Sequence, residues 1–272
     1  MKRMILDKSA AQGAAQGVLR EAKSRFRFYL TDPLYYEMYT DTTSVRPTLF
    51  AKVMTEIGDE WLPMSRDVIK YEIEEGFPGS LLFDLPGARR TLSDSYEPTN
   101  DAEIAAYEKH ITQLGQVVHD PLDEKDYVQT RRIQSAKALF ERIEIGPESV
   151  KLLSDRAEKN WRRFARENGL QASIGFIPRP GWFCYGLEAA GQAFLHWKLW
   201  ACGDAPADPR HPANPGFDLE YVAYASLVDG LVSNDNLVLP LAWACWPEKR
   251  EDIYTYNKEK REICRFVPKW ER

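Results

Sequence analysis

A chain of 272 residues with 44% hydrophobic content can bury a sizeable core, which excludes a disordered polymer and leaves room for one large domain or two small ones. A formal net charge of −5 and a pI near 5.6 exclude a global basic field, so any polyanionic partner has to be held by local patches. Four cysteines, at 184, 202, 245 and 264, form no Cys-x-x-Cys pair; that argues against a zinc site or a disulfide framework and fits a reducing, cytoplasmic setting.

In chain order, residues 3–6 and 26–30 are brief apolar or aromatic runs of strand length, separated by a small-residue segment, 9–23, that suits a helix. The first run, with Met4, Ile5 and Leu6, is too short for a signal-peptide core. Asp32 can cap a helix whose first turn holds Pro33, where a missing amide hydrogen costs nothing, and Glu37 then lies about one turn in. From residue 65 to 203 the pattern turns helical. Asn100 with Glu103 forms a capping pair ahead of 104–118, an amphipathic segment spans 123–143, and 147–168 is a helix that stops at Gly169. Residues 187–202 form another, ended by Gly203, and the four prolines of 204–216 mark a connector. Beyond it, 219–228 reads as a helix and 231–233 as a short buried strand, with Asp235 just past its end. The longest apolar stretch, 237–246, is interrupted by Pro240 and falls short of the ~20 residues of a membrane span, so no membrane partner is expected.

Alternating strands and helices at the two ends favour an α/β fold with a small parallel sheet flanked by helices. The expected organisation is an α/β core built from residues 1–60 and 205–272, with a large α-helical insertion or lid over 61–204, all in one composite unit. In such sheets ligands gather at the carboxyl ends of the strands, where Asp7 and Asp235 are placed.

Each of Asp7, Glu37, Asp218 and Asp235 also has an ordinary reading as a cap, a turn former or an exposed charge. Together, at strand ends and adjacent first turns, they converge on one sheet edge, where like charges repel and a divalent metal relieves the cost. Carboxylate ligation in a chain with only four histidines suits Mg²⁺ or Mn²⁺. Such a metal lowers the pKa of a bound water and stabilises charge on a phosphate, which is the chemistry of phosphodiester hydrolysis. Asp229, beside Gly230, reads either as a turn residue or as a fifth acidic metal ligand, and Asp32 reads as a helix cap. Ser9 and Ser233 are candidate substrate contacts, Ser233 alternatively ordering its loop.

The segment ILDKSA, residues 5–10, resembles the opening motif of PIN domains, in which a strand ends in an aspartate with a small hydroxyl residue two positions later, here Ser9. Glu37 stands where those domains place a glutamate early in the helix after the second strand. The segment DLEYVAYASLVDGLVSND resembles their third and fourth motifs, an aspartate opening a helix and another ending the next strand, as Asp218 and Asp235. The 17 positions from one to the other suffice for a helix, a tight turn and a strand. The resemblance covers roughly residues 1–60 and 205–272, and the 181 positions between Glu37 and Asp218 far exceed the spacing in compact toxin-type members.

What the resemblance implies is a PIN-like, metal-dependent nuclease in which Asp7, Glu37, Asp218 and Asp235 are the catalytic and Mg²⁺- or Mn²⁺-binding residues. RNA is favoured over DNA as substrate, so an endoribonuclease leads. A single-strand or structure-specific DNA nuclease is the alternative with the same chemistry, and a non-cleaving RNA- or protein-binding scaffold is the alternative from another class. An antitoxin or other inhibitor protein and a homo-oligomer are both compatible with it. Lys8 replaces the family's usual small or hydroxylic residue, and side-chain alternation past a strand end is expected to turn it away from the carboxylates.

In the helical middle, Lys159, Arg162, Arg163 and Arg166 follow i, i+3, i+4, i+7 spacing and form a basic stripe beside the apolar Val150, Leu153, Ala157, Trp161 and Phe164. The stripe is either a solvated face or a local phosphate clamp. Arg179 and Trp182, in a proline-bounded loop, are candidates for reaching a substrate, although most aromatic residues are expected in the core.

Overall fold

The computed structural model describes residues 1–40, 46–58, 60–85, 105, 109–110, 138–139, 147–201 and 214–271. The expected helices at 104–118 and 123–143, apart from isolated helical positions, and nearly all of the proline-rich connector lie outside them.

Five strands form one sheet: β1 (Lys2–Leu6), β2 (Phe26–Tyr29), β3 (Gly230–Val232), β4 (Ile253–Asn257) and β5 (Glu262–Arg265), in the order β2-β1-β3-β4-β5. The first four are parallel and β5 is antiparallel to β4. β1 is flanked on both sides, Ile5 pairing with Tyr29 of β2 and with Leu231 of β3. A strand covered on both faces has no polar side, and accordingly Met4, Ile5 and Leu6 are all fully buried. Beyond β2, Leu30 makes an isolated parallel bridge to Trp61, closed by main-chain bonds from Leu30 to Glu60 and from Leu62 to Leu30.

The described helices, numbered in chain order, are α1 (Lys8–Gly13), α2 (Val18–Ala22), α3 (Asp32–Thr40), α4 (Arg46–Glu56), α5 (Ser65–Glu75), α6 (Pro147–Glu167), α7 (Phe183–Ala201), α8 (Asn214–Leu227) and α9 (Val238–Cys245). The single helix expected over 9–23 is two, because Ala14 is extended and Gly17 adopts φ +88°, a left-handed conformation that interrupts the helix. The apolar stretch 237–246 is α9, and every residue of the helix is buried. Pro240 does not break it, since its absent N–H lies in the first turn, where no intrahelical acceptor exists. Among the described residues no helix is long and apolar enough to cross a membrane.

Several helix ends are set by charged side chains distant in sequence. The buried carboxylate of Glu72 on α5 accepts main-chain N–H groups from Gly79 (2.8 Å), Phe183 (2.7 Å) and Cys184 (2.9 Å), so α7 starts four residues earlier than expected, at Phe183. Glu56 likewise accepts from Gly17 and Leu19 at the start of α2. Lys249 donates to the carbonyls of Ala225, Ser226 and Val228, closing the C-terminal end of α8, and burial lowers its pKa to about 8. These groups satisfy the orphan N–H and C=O groups that every helix leaves at its ends.

One hydrophobic core runs without a break from the sheet, through Ile5 and Leu231, into α5, α6 and α7, through Val68, Trp161 and Tyr185. On α6 the face expected to be apolar is the buried one, with Ala157 and Trp161 inaccessible and Leu153 packed against the cluster. Trp182, in the proline-bounded loop, is also buried, edge-on to Phe176, so that loop packs inward at its aromatic position.

The closest main-chain approach is at Gly230, where an added Cβ would stand 2.0 Å from the carbonyl oxygen of Asp252. Gly17 has the left-handed backbone but open space around it. Gly230→Ala is therefore expected to destabilise the protein by about 3 kcal/mol or more, and Gly17→Ala by only about 1–2 kcal/mol of backbone strain. Equilibrium denaturation of both variants checks this; equal losses would mean that the Asp252 main chain yields without disturbing the β3–β4 pairing.

Candidate functional site

Asp7 directly follows β1, its N–H donating to the carbonyl of Val232 at 3.0 Å. The chain then turns into α1, and the Asp7 carboxylate caps that helix by accepting the N–H of Ser9. Two hydroxyls, of Ser9 and Ser233, donate to its Oδ2. Each is itself held by a main-chain donor: the N–H of Asn234 to Ser9 Oγ (2.8 Å) and the N–H of Asp235 to Ser233 Oγ (2.9 Å). Asn234 in turn is fastened to β4 by Thr255 Oγ1 and the N–H of Tyr256, both at 2.8 Å. Ser9 and Ser233, expected as substrate contacts, instead spend their hydroxyl hydrogens on Asp7, and Ser233 is fully buried. They position the aspartate, which is itself only 4% exposed.

Asp235 follows β3 at the same end of the sheet, and its Oδ1 accepts the N–H groups of Leu237 (2.6 Å) and Val238 (3.0 Å) at the start of α9. It is a cap as well as a member of the site. Glu37, half-buried on α3, accepts a hydrogen bond from the phenol of Tyr221 at 2.7 Å. Asp218 does not open its helix as expected. α8 begins at Asn214, so Asp218 lies in the second turn, half-buried.

Each of the four acids feels the charge of the others. Burial raises the pKa of Asp7, partly offset by the bonds from Ser233 and Ser9, and the charge of Asp235 raises it further. Glu37 is pushed up to about 7 by burial and by Asp7 and Asp235, against the pull of the Tyr221 phenol and the charge of Lys8. Asp218 stands well above the usual carboxylate range: burial comes first, then Asp235, Asp7 and Glu37, and no hydrogen bond among the described residues offsets them. All six pairwise repulsions among the four are thus present.

The charge of Lys8 lowers the pKa of Glu37, a smaller effect than burial and the charge of Asp7. α1 starts at Lys8, so helical rotation rather than strand alternation sets its side-chain direction. Asp229 is not a fifth ligand. It precedes β3 at the amino end, accepts the N–H of Arg3 at 2.8 Å and pairs with the Arg3 guanidinium at 3.4 Å, with the length of the strand between it and the four acids. Asp32 is a cap, though chiefly of α5, accepting the N–H and hydroxyl of Ser65 and the phenol of Tyr224. In the basic stripe Lys159, Arg163 and Arg166 are exposed, but Arg162 is not part of a free face. It bonds Glu158 (2.8 Å) and the carbonyls of Ser173 (3.2 Å) and Phe176 (3.0 Å), strapping α6 to the following loop.

The donor set is all oxygen and net negative, which fits a hard divalent cation. Among the described residues no three Asp, Glu, His or Cys side chains stand close enough together to enclose a metal. The arrangement fits a hydrated Mg²⁺ or Mn²⁺ that takes one or two carboxylates and keeps its waters, rather than a caged ion. Comparison with protein-family models, curated proteins and solved structures finds no match. Tyr221 escaped the sequence reading, although its place three residues after Asp218 puts both on one face of α8.

A carboxyl whose pKa is raised on folding contributes stability below its unfolded value and loses it as pH rises through the folded value. For Glu37 that window runs from 4.5 to about 7, and Asp7 and Asp218 shift in the same direction. In metal-free buffer the melting temperature is expected to fall as pH rises across it. Glu72, also near 7, contributes to the same fall, so the informative quantity is a difference. Asp218→Asn should be more stable than the native protein at pH 8 and lose that advantage at pH 4; no gain at pH 8 would mean that Asp218 is not under repulsion.

Proposed function

We propose that the chain is a metal-dependent, PIN-like nuclease that hydrolyses phosphodiester bonds, with RNA favoured over DNA. The observation that carries this reading is Asp218, a half-buried carboxyl under the charge of three other acids with no hydrogen bond among the described residues to offset them. Such a group is costly to ionise without a counter-ion. The parallel order of β2, β1, β3 and β4, with Asp7 and Asp235 at their carboxyl ends, supports the likeness to PIN domains.

Asp7, Glu37, Asp218 and Asp235 would hold Mg²⁺ or Mn²⁺, which when bound supplies Lewis-acid polarisation of a phosphoryl oxygen and a water of lowered pKa. The chain's own contributions divide in two. Asp7 and Asp235 are locked by hydrogen bonds and supply fixed oxygens. Glu37 and Asp218 are less tied, and Glu37, titrating near 7, is suited to take a proton from an attacking water through Oε1, the oxygen that Tyr221 does not use. Lys8, whose charge acts on Glu37, and the exposed Lys159, Arg163 and Arg166 supply local positive charge for the substrate backbone in a chain whose net charge is −5. A non-cleaving RNA- or protein-binding scaffold is the second reading, favoured by the Lys8 charge acting within the acidic set.

Labelled single-stranded RNA and DNA, incubated with the purified protein and Mn²⁺, Mg²⁺ or EDTA, separate these readings. Cleavage of RNA with Mn²⁺ but not with EDTA is expected, and Asp7→Asn or Asp235→Asn should reduce it about 10²-fold or more. Metal-independent cleavage, or native rates in Asp7→Asn, would count against the site. Binding without cleavage under all conditions would favour the scaffold.

The exposed part of the basic stripe is tested separately. Arg163→Glu together with Arg166→Glu is expected to weaken RNA binding and to lower the slope of log affinity against log salt by about 2, with the melting temperature little changed. An unchanged slope would make the stripe a solvated face.

A further inference from the structure

Two tyrosines on one face of α8, Tyr221 and Tyr224, each bond an acid of α3 through the phenol. Tyr224 donates to Asp32 Oδ1 at 2.6 Å, and Tyr221 donates to Glu37 Oε2 at 2.7 Å. The later tyrosine takes the earlier acid, so α3 and α8 run antiparallel where they meet. The two contacts differ in what else they touch. Asp32 is buried and also caps α5 through Ser65, so the Tyr224 bond belongs to the scaffold. Glu37 belongs to the acidic set.

Tyr221 is 1% exposed, and its phenol reaches the Glu37 carboxylate on α3 from α8, which carries Asp218 one turn earlier. A glutamate has among the largest rotamer entropies of any side chain, and the Tyr221 phenol is the hydrogen-bond donor that holds Glu37.

We infer that Tyr221 is the positioning residue of the acidic site: its phenol fixes the Glu37 carboxylate so that Oε2 is held and Oε1 is presented toward Asp7, Asp218 and Asp235. This rests on the nuclease reading above. Tyr221 touches no substrate in this role; it acts through Glu37 on the affinity for a divalent cation.

The test is a double-mutant cycle on Tyr221→Phe and Glu37→Gln, read by calorimetric titration of Mn²⁺ at one pH and by denaturation in EDTA. Tyr221→Phe is expected to fold and to bind Mn²⁺ about tenfold more weakly, a change of about 1.4 kcal/mol. In the Glu37→Gln background the same substitution should change Mn²⁺ affinity less than twofold, because the group it positions is already gone. Glu37→Asp, which keeps the charge but cannot reach the phenol, should show the same loss and the same insensitivity to Tyr221→Phe. Tyr224→Phe should lower the denaturation midpoint and leave Mn²⁺ affinity at the native value. If the native protein cleaves RNA, saturating Mn²⁺ should restore the turnover of Tyr221→Phe, a rescue that a general loss of structure would not allow.

Native Mn²⁺ affinity in Tyr221→Phe would overturn the inference, and so would an equal loss in both Glu37 backgrounds. A native protein that binds no Mn²⁺ at all would remove the nuclease reading and this inference with it. That result is distinct from a native protein that binds Mn²⁺ and a Tyr221→Phe variant that binds it equally well.

Discussion

Repulsion among Asp7, Glu37, Asp218 and Asp235 sets the terms on which the surrounding structure is built. The fold meets this in two ways. It supplies donors to Asp7 and Asp235, and burial, with the neighbouring charges, raises the pKa values of Asp7, Glu37 and Asp218, which favours their protonated forms.

The scaffold that carries this burden relies on charged groups buried at helix ends. Glu72 joins α5 to the start of α7, Glu56 joins α4 to the start of α2, and Lys249 closes the end of α8. Each satisfies two or three main-chain groups at once, so each removes several desolvation costs with a single side chain. Their effect on the site is indirect but definite. α8 is held at its last turn by Lys249 and along its length by Tyr224, and its remaining polar face delivers Asp218 and Tyr221 to the acids.

The division between locked and adjustable carboxylates gives the site its chemical character. Asp7 sits in a relay in which main-chain N–H groups polarise Ser9 and Ser233, and those hydroxyls in turn polarise the aspartate. Among the described residues Glu37 has one phenol and Asp218 has no comparable bond, so these two are the less constrained acids. Two fixed oxygens and two responsive ones are what the proposed weakly caged, hydrated ion would require.

Much of this was legible in the sequence wherever the signal was local. The apolar run ending at Asp7, the cap and proline at Asp32 and Pro33, and the short strand before Asp235 are patterns of a few residues, and they determine the strand ends and helix starts that carry three of the acids. The spacing from Asp218 to Asp235 was informative even though α8 starts five residues earlier than its pattern suggested. Local pattern says nothing, however, about which groups meet across the sheet. Asp229 and Asp235 flank the same strand, yet the strand's direction puts Asp229 with Arg3 and Asp235 with Asp7. Ser233 meets Asp7 across 226 positions, and Tyr221 meets Glu37 across 184. Arg162 left the basic stripe because two carbonyls of the next loop claimed it. The sequence by itself determined the elements and the acids at their ends, since propensity and periodicity act over one or two turns. Only the tertiary structure decided which hydroxyl, phenol or carbonyl each of those groups would bond, because those partners are assigned by strand pairing and helix packing between distant parts of the chain.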